Sequence, residues 1–68
     1  MDKDEFIKKW NSLKCESKEV LFGDSNKPFL YYTNKYVIIG NSVKIYSDYL
    51  GELTTLNLSD VIDIEYGI

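Results

Sequence analysis

Asp60, Asp63 and Glu65 form the one cluster of side chains in this sequence whose types and spacing could do chemistry. Asp63 and Glu65 lie two apart in an apolar, β-rich segment, so strand alternation aims both carboxylates at one face. A hard cation such as calcium asks for about six to eight oxygens, and no EF-hand loop surrounds these carboxylates to supply the rest. A solvated edge that discourages strand pairing accounts for them better than a metal does. Their functional reading is an acidic contact face.

The remaining inventory excludes most catalysis. The chain has no histidine for general acid–base work and no arginine to clamp a phosphate or carboxylate. Its one cysteine, Cys15, reads as a small apolar group near the core edge, at the end of the first helix. A lone cysteine rules out an internal disulfide and, without histidine, leaves no set of zinc ligands. No glycine-rich phosphate loop follows a strand. The expectation is a protein that is not an enzyme and takes no cofactor.

Tyrosine is the other excess: Tyr31, Tyr32, Tyr36, Tyr46, Tyr49 and Tyr66. Strands favour aromatics, so most of these read as packing. Tyr46 shares a strand face with Lys44 and Asp48, and Tyr49 falls in a turn. With Asp48 and Glu52 around them, these two tyrosines suit a basic protein surface, because tyrosine buries its ring at an interface and keeps its hydroxyl paired. The expected protein-binding residues are Tyr46, Asp48, Tyr49, Glu52, Asp60, Asp63 and Glu65.

Charge along the chain supports that choice. All 8 basic residues are lysines and the last is Lys44, whereas Asp48, Glu52, Asp60, Asp63 and Glu65 follow it; the net charge is −3. An acidic C-terminal segment attracts basic partners and repels phosphate backbones. Nucleic acid is therefore disfavoured as a partner, and would have to be met by Lys8, Lys9 and Lys14. The longest apolar runs fall far short of the roughly 20 residues of a membrane helix. No membrane association and a cytoplasmic location are the expectation.

The elements that must position these residues are legible from periodicity. Phe6, Ile7, Trp10 and Leu13 make one apolar stripe at helical spacing, and Asp2 with Glu5 is an acidic variant of a capping box. This predicts a helix over 2–15, with Trp10 pinning it to a sheet. Strands are predicted over 19–23, 28–33, 36–40, 42–48, 52–58 and 61–66. The run 36–39 is apolar throughout and reads as a central strand covered on both faces. Asn34 with Lys35 and Gly40 with Asn41 are two-residue hairpin candidates, the second stronger. In the last strand Ile62, Ile64 and Tyr66 should share one face and Val61, Asp63 and Glu65 the other. The fold class is α+β: one domain, 1–68, with an amphipathic helix on an antiparallel meander or small barrel.

The stretches Glu19-Val20-Leu21-Phe22, Leu30-Tyr31-Tyr32-Thr33-Asn34-Lys35-Tyr36-Val37-Ile38-Ile39 and Leu58-Ser59-Asp60-Val61-Ile62-Asp63-Ile64-Glu65 resemble bacterial PH-like (GRAM-related) domains. The resemblance spans about two thirds of the chain in short hairpin and strand patterns. It implies an interaction domain with no catalytic residues to carry over. The order of elements alone also suits an Sm-like barrel, the architecture of some RNA-binding rings.

The expected function is a small acidic protein-binding module whose partner has a basic surface. A small, acidic chain of AT-rich codon character without catalytic groups fits a phage or mobile-element inhibitor of a host enzyme or defence protein. The alternatives are a nucleic-acid binder that stacks bases on tyrosines, and a structural homo-oligomer that compensates for a small core by self-association.

Overall fold

A computed structural model describes residues 1–67. One helix, α1 (Lys3–Ser12), precedes six strands: β1 (Lys18–Asp24), β2 (Lys27–Thr33), β3 (Lys35–Ile39), β4 (Ser42–Ser47), β5 (Gly51–Asn57) and β6 (Val61–Tyr66), with a 3-10 turn at Leu58–Asp60 before the last. The class is α+β. The strands form two antiparallel three-stranded sheets, β2-β1-β6 and β3-β4-β5. Neither a single meander nor a closed barrel forms, because β5 and β6 meet through the 3-10 turn without pairing.

Asp2 starts the helix: its carboxylate accepts the Glu5 N–H at 2.8 Å and its carbonyl accepts that of Phe6 at 3.0 Å. The helix ends at Ser12, earlier than periodicity predicts. There the Ser12 hydroxyl donates to the Lys9 carbonyl, and Leu13 turns to extended backbone (φ −92°, ψ 120°) to pack against the core. Cys15 consequently lies beyond the helix, half-buried, in the segment that leads into β1.

Phe6 and Trp10 sit among Val20, Val43, Ile45, Leu56, Leu58, Val61 and Ile64 in one core that both sheets line. Tyr36 meets both rings edge-on, at 5.0 Å from Phe6 and 4.8 Å from Trp10. Lys18, buried on the inner side of β1, holds its ammonium 4.7 Å from the Trp10 ring centre and donates to the Cys15 carbonyl at 2.6 Å. Trp10 is therefore the pin that the sequence predicts.

Asn34 and Lys35 do not make a hairpin. A single residue, Asn34, separates β2 from β3, and the chain passes there from one sheet into the other. The buried Thr33 hydroxyl faces the Lys35 and Tyr46 carbonyls at 2.9 and 2.5 Å and shares its one proton between them. Gly40 and Asn41 do form the β3–β4 turn, with Gly40 at φ +59°. Positive φ at the first turn residue belongs to the II′ hairpin class.

Three expectations about burial change. The apolar run 36–39 is an edge strand, not a central one, and Val37 and Ile39 are exposed on its outer side. A register shift in β1 against β6 pairs Leu21 with Asp63 and Phe22 with Val61, which leaves Ile62 as the extra residue. That bulge turns Val61 inward beside Ile64, so Val61 does not share a face with Asp63 and Glu65; Tyr66, at the strand's end, is exposed. No helix among the described residues is long and apolar enough to cross a membrane.

A domain of this size has a stability of only about 5 kcal/mol or a little more. Ile45→Ala, at a fully buried position, should cost about 2–5 kcal/mol, a large part of that margin. Ile39→Ala on the exposed edge should stay within about 0.5 kcal/mol of the parent. Thr33→Val, which keeps the shape but strips the hydroxyl from the junction, should cost about 1–3 kcal/mol. Urea unfolding followed by circular dichroism checks all three.

Candidate functional site

Alternation along the first sheet sorts its residues into an inner set, which meets the core, and an outer set. β1 presents Glu19 and Leu21 outward, β2 presents Leu30 and Tyr32, and β6 presents Asp63 and Glu65. The registers align these six into two cross-strand rows. Tyr32, Glu19 and Glu65 form one row, and Leu30, Leu21 and Asp63 the other. On this face Leu30 and Tyr32 each remain 45% exposed.

The first row sets two carboxylates directly opposite each other on neighbouring strands, an arrangement that repels. Among the described residues, neither Glu19 nor Glu65 has a lysine within ion-pair distance; the three ion pairs lie elsewhere, at Lys9–Asp63, Lys35–Asp48 and Lys44–Glu52. The Tyr32 phenol, pushed above its ordinary value of 10.0 by the charge of Glu19 and a hydrogen bond to it, acts as a neutral donor to that carboxylate. Leu30 and Leu21 thus lie beside the opposed carboxylates of Glu19 and Glu65 on one hydrogen-bonded sheet.

The residues that the sequence nominates fall into three separate places. Asp63 and Glu65 belong to the face just described. Asp63 is the more restrained: its carboxylate accepts the Ile64 N–H at 2.8 Å and lies 3.7 Å from the Lys9 ammonium. Tyr46, Asp48, Tyr49 and Glu52 gather on the second sheet, around the β4–β5 turn. Asp60 sits in the 3-10 turn, next to Leu58, whose N–H donates to the Asn41 carbonyl at the opposite end of β4.

Around the β4–β5 turn the acids are already occupied. Asp48 contacts the Lys35 ammonium at 2.5 Å, accepts from the Asn34 amide at 2.6 Å, and is held below its ordinary value chiefly by the hydrogen bond from Lys35. Glu52 lies 3.1 Å from Lys44 and raises that lysine's pKa. Tyr46 lines a shallow apolar cleft of about 420 Å³ with Trp10, Lys35, Tyr36 and Val37. Tyr49 stands free at 96% exposure. No group of three or more metal-binding side chains occurs among the described residues.

Of the three lysines that nucleic acid would have to meet, Lys9 is engaged by Asp63, Lys8 is exposed on the helix and Lys14 is exposed beyond its end. Sequence reasoning missed Glu19, Leu21, Leu30 and Tyr32. Their outward alternation is readable from the strands, but their convergence with Glu65 depends on the register of β1 between β2 and β6. No family model, no curated protein and no solved structure matches the chain.

The raised Tyr32 value makes a prediction with a definite sign. The folded state holds the phenol proton more tightly than the unfolded state, so this contribution is present below the ordinary value of 10.0 and is lost as pH rises above it. Glu19→Gln should bring the Tyr32 titration down toward that of a free phenol, read from its ring resonances by NMR. A Tyr32 titration unchanged by Glu19→Gln would remove Glu19 as the cause.

Proposed function

We propose that this protein is a non-catalytic binding module that engages a basic protein surface through the outer face of the sheet β2-β1-β6. The observation that carries the proposal is the Glu19–Glu65 pair: two carboxylates opposed across adjacent strands without a lysine, beside exposed Leu30 and Tyr32. A free protein gains nothing from that arrangement. A partner that places a lysine or arginine between the two carboxylates relieves their repulsion, and covers the apolar row in the same step.

Tyr32 supplies the kind of anchor that interfaces favour, beside Glu19 in the same cross-strand row. Leu21 and Leu30 supply apolar area next to it. Nucleic acid is a poorer fit, because the face offers acids where phosphates would lie. Inhibition of a host enzyme or defence protein by a phage or mobile element is the biological role that suits such a face.

Glu65→Lys separates a functional pair from a merely tolerated one. The lysine would face Glu19 and replace repulsion by attraction, so the variant should be more stable by about 0.2–1 kcal/mol. The same variant should lose its partner. Affinity capture from host lysate with the parent chain, Glu65→Lys, Tyr32→Ala and Tyr49→Ser should yield one protein retained by the parent and by Tyr49→Ser and lost from the other two. Calorimetric titration of that protein, once purified, should give the same order. Retention by Glu65→Lys and Tyr32→Ala would overturn the proposal.

A further inference from the structure

Side chains directly opposed on neighbouring antiparallel strands keep their Cβ atoms about 4.5–5.5 Å apart. Tyr32, Glu19 and Glu65 stand in that relation one after the other, so a single row sets a ring beside two carboxylates. Tyr32 is 45% exposed, and in the next row Leu30 is equally open. A cation that bridges the two carboxylates therefore lies beside the Tyr32 ring and close to apolar side chains. Its head must give up water on the ring side and donate hydrogen bonds on the carboxylate side.

Those two demands separate the cationic side chains. An ammonium is a compact, strongly hydrated point charge, and loses most where water is excluded. A guanidinium is planar and weakly hydrated, and its N–H donors lie along its edges, which leaves its faces free to stack. One edge can serve Glu19 and another Glu65 while a face rests on Tyr32. Building on the binding face proposed above, we infer that the partner's group seated between Glu19 and Glu65 is an arginine guanidinium stacked on Tyr32. An apolar neighbour of that arginine then covers Leu30 and Leu21.

The composition of the chain excludes a second copy as the source, since it has no arginine. Its lysines are also committed elsewhere. Lys9, Lys35 and Lys44 each hold another acid, and Lys18 is buried on the opposite side of β1 against Trp10. The occupant is therefore a foreign protein that presents an arginine with an apolar residue beside it.

Two acetylated, amidated peptides serve as probes, Gly-Arg-Leu-Arg-Gly and Gly-Lys-Leu-Lys-Gly, titrated into the isotopically labelled full chain at low ionic strength. The backbone amide resonances of Glu19, Tyr32 and Glu65 report the contact by NMR. The arginine peptide should bind with a dissociation constant about two- to fivefold below that of the lysine peptide. Tyr32→Phe, which keeps the ring, should retain that ratio, and Tyr32→Leu, which removes it, should bring the ratio to about one. Glu65→Gln should weaken both peptides. These substitutions lie on the outer face and leave the core in place. Equal affinity of the parent for both peptides, or a ratio that survives Tyr32→Leu, would overturn the arginine assignment and leave the acidic face standing. Shifts that avoid Glu19, Tyr32 and Glu65 with both peptides would overturn the assignment together with the face.

Discussion

The Thr33 hydroxyl stands where the chain leaves one sheet for the other, and the arrangement of both sheets depends on what it holds. One proton bridges the carbonyls of Lys35 and Tyr46, so the first residue of β3 and the end of β4 are tied to the last residue of β2. Asn34 completes the joint. Its N–H donates to the same Tyr46 carbonyl, its amide oxygen accepts from the Asp48 N–H at 2.9 Å, and its amide nitrogen donates to the Asp48 carboxylate. A change of sheet within one residue exposes backbone groups that neither ladder can satisfy, and a threonine and an asparagine satisfy them. With that corner set, Val20 and Ile64 face Val43 and Ile45 across one interior, and Phe6 and Trp10 have a single place to go.

Much of this was legible in the sequence, and the part that was not has one cause. The six strands lie within one or two residues of the predicted spans, because alternation and turn residues are local signals. Gly40 with Asn41 was readable for the same reason. Pairing is not local. The apolar run 36–39 reads as buried on both faces, yet its strand lies at a sheet edge, where Val37 and Ile39 meet solvent. The bulge at Ile62 that turns Val61 inward exists only against β1, and no pattern within residues 61–66 announces it. The Glu19–Glu65 opposition is hidden in the same way, since the two residues are far apart in sequence and become neighbours through register.

The charge pattern shows how far a linear reading can differ from its spatial result. Along the chain the lysines come early and five acids come late, which implies a polarised molecule. Folding pairs the two groups with each other. Lys9 meets Asp63, Lys35 meets Asp48 and Lys44 meets Glu52, each a lysine from the earlier part of the chain against an acid from the later part. The side chains in these pairs are 38–66% exposed, and pairs so open to solvent contribute little to stability. Their larger effect is to cancel three of the five late acids in place, Asp48, Glu52 and Asp63, so that Tyr46 and Tyr49 are not surrounded by unneutralised charge. What remains uncancelled on the first sheet is the one acidic pair whose geometry works against the free protein.

Sheet edges are handled by the same logic. A protein of two open sheets has four edge strands where a closed barrel has none, and each edge left bare invites pairing with another chain. β2 carries Pro28, which donates nothing, and β6 is covered by a terminus and a self-capping aspartate. Such covers take residues away from the core of a chain that has few to spare. β5 carries instead a bulge at Leu53, where its pairing with β4 shifts register, and a bulge bends a strand and disrupts its ladder.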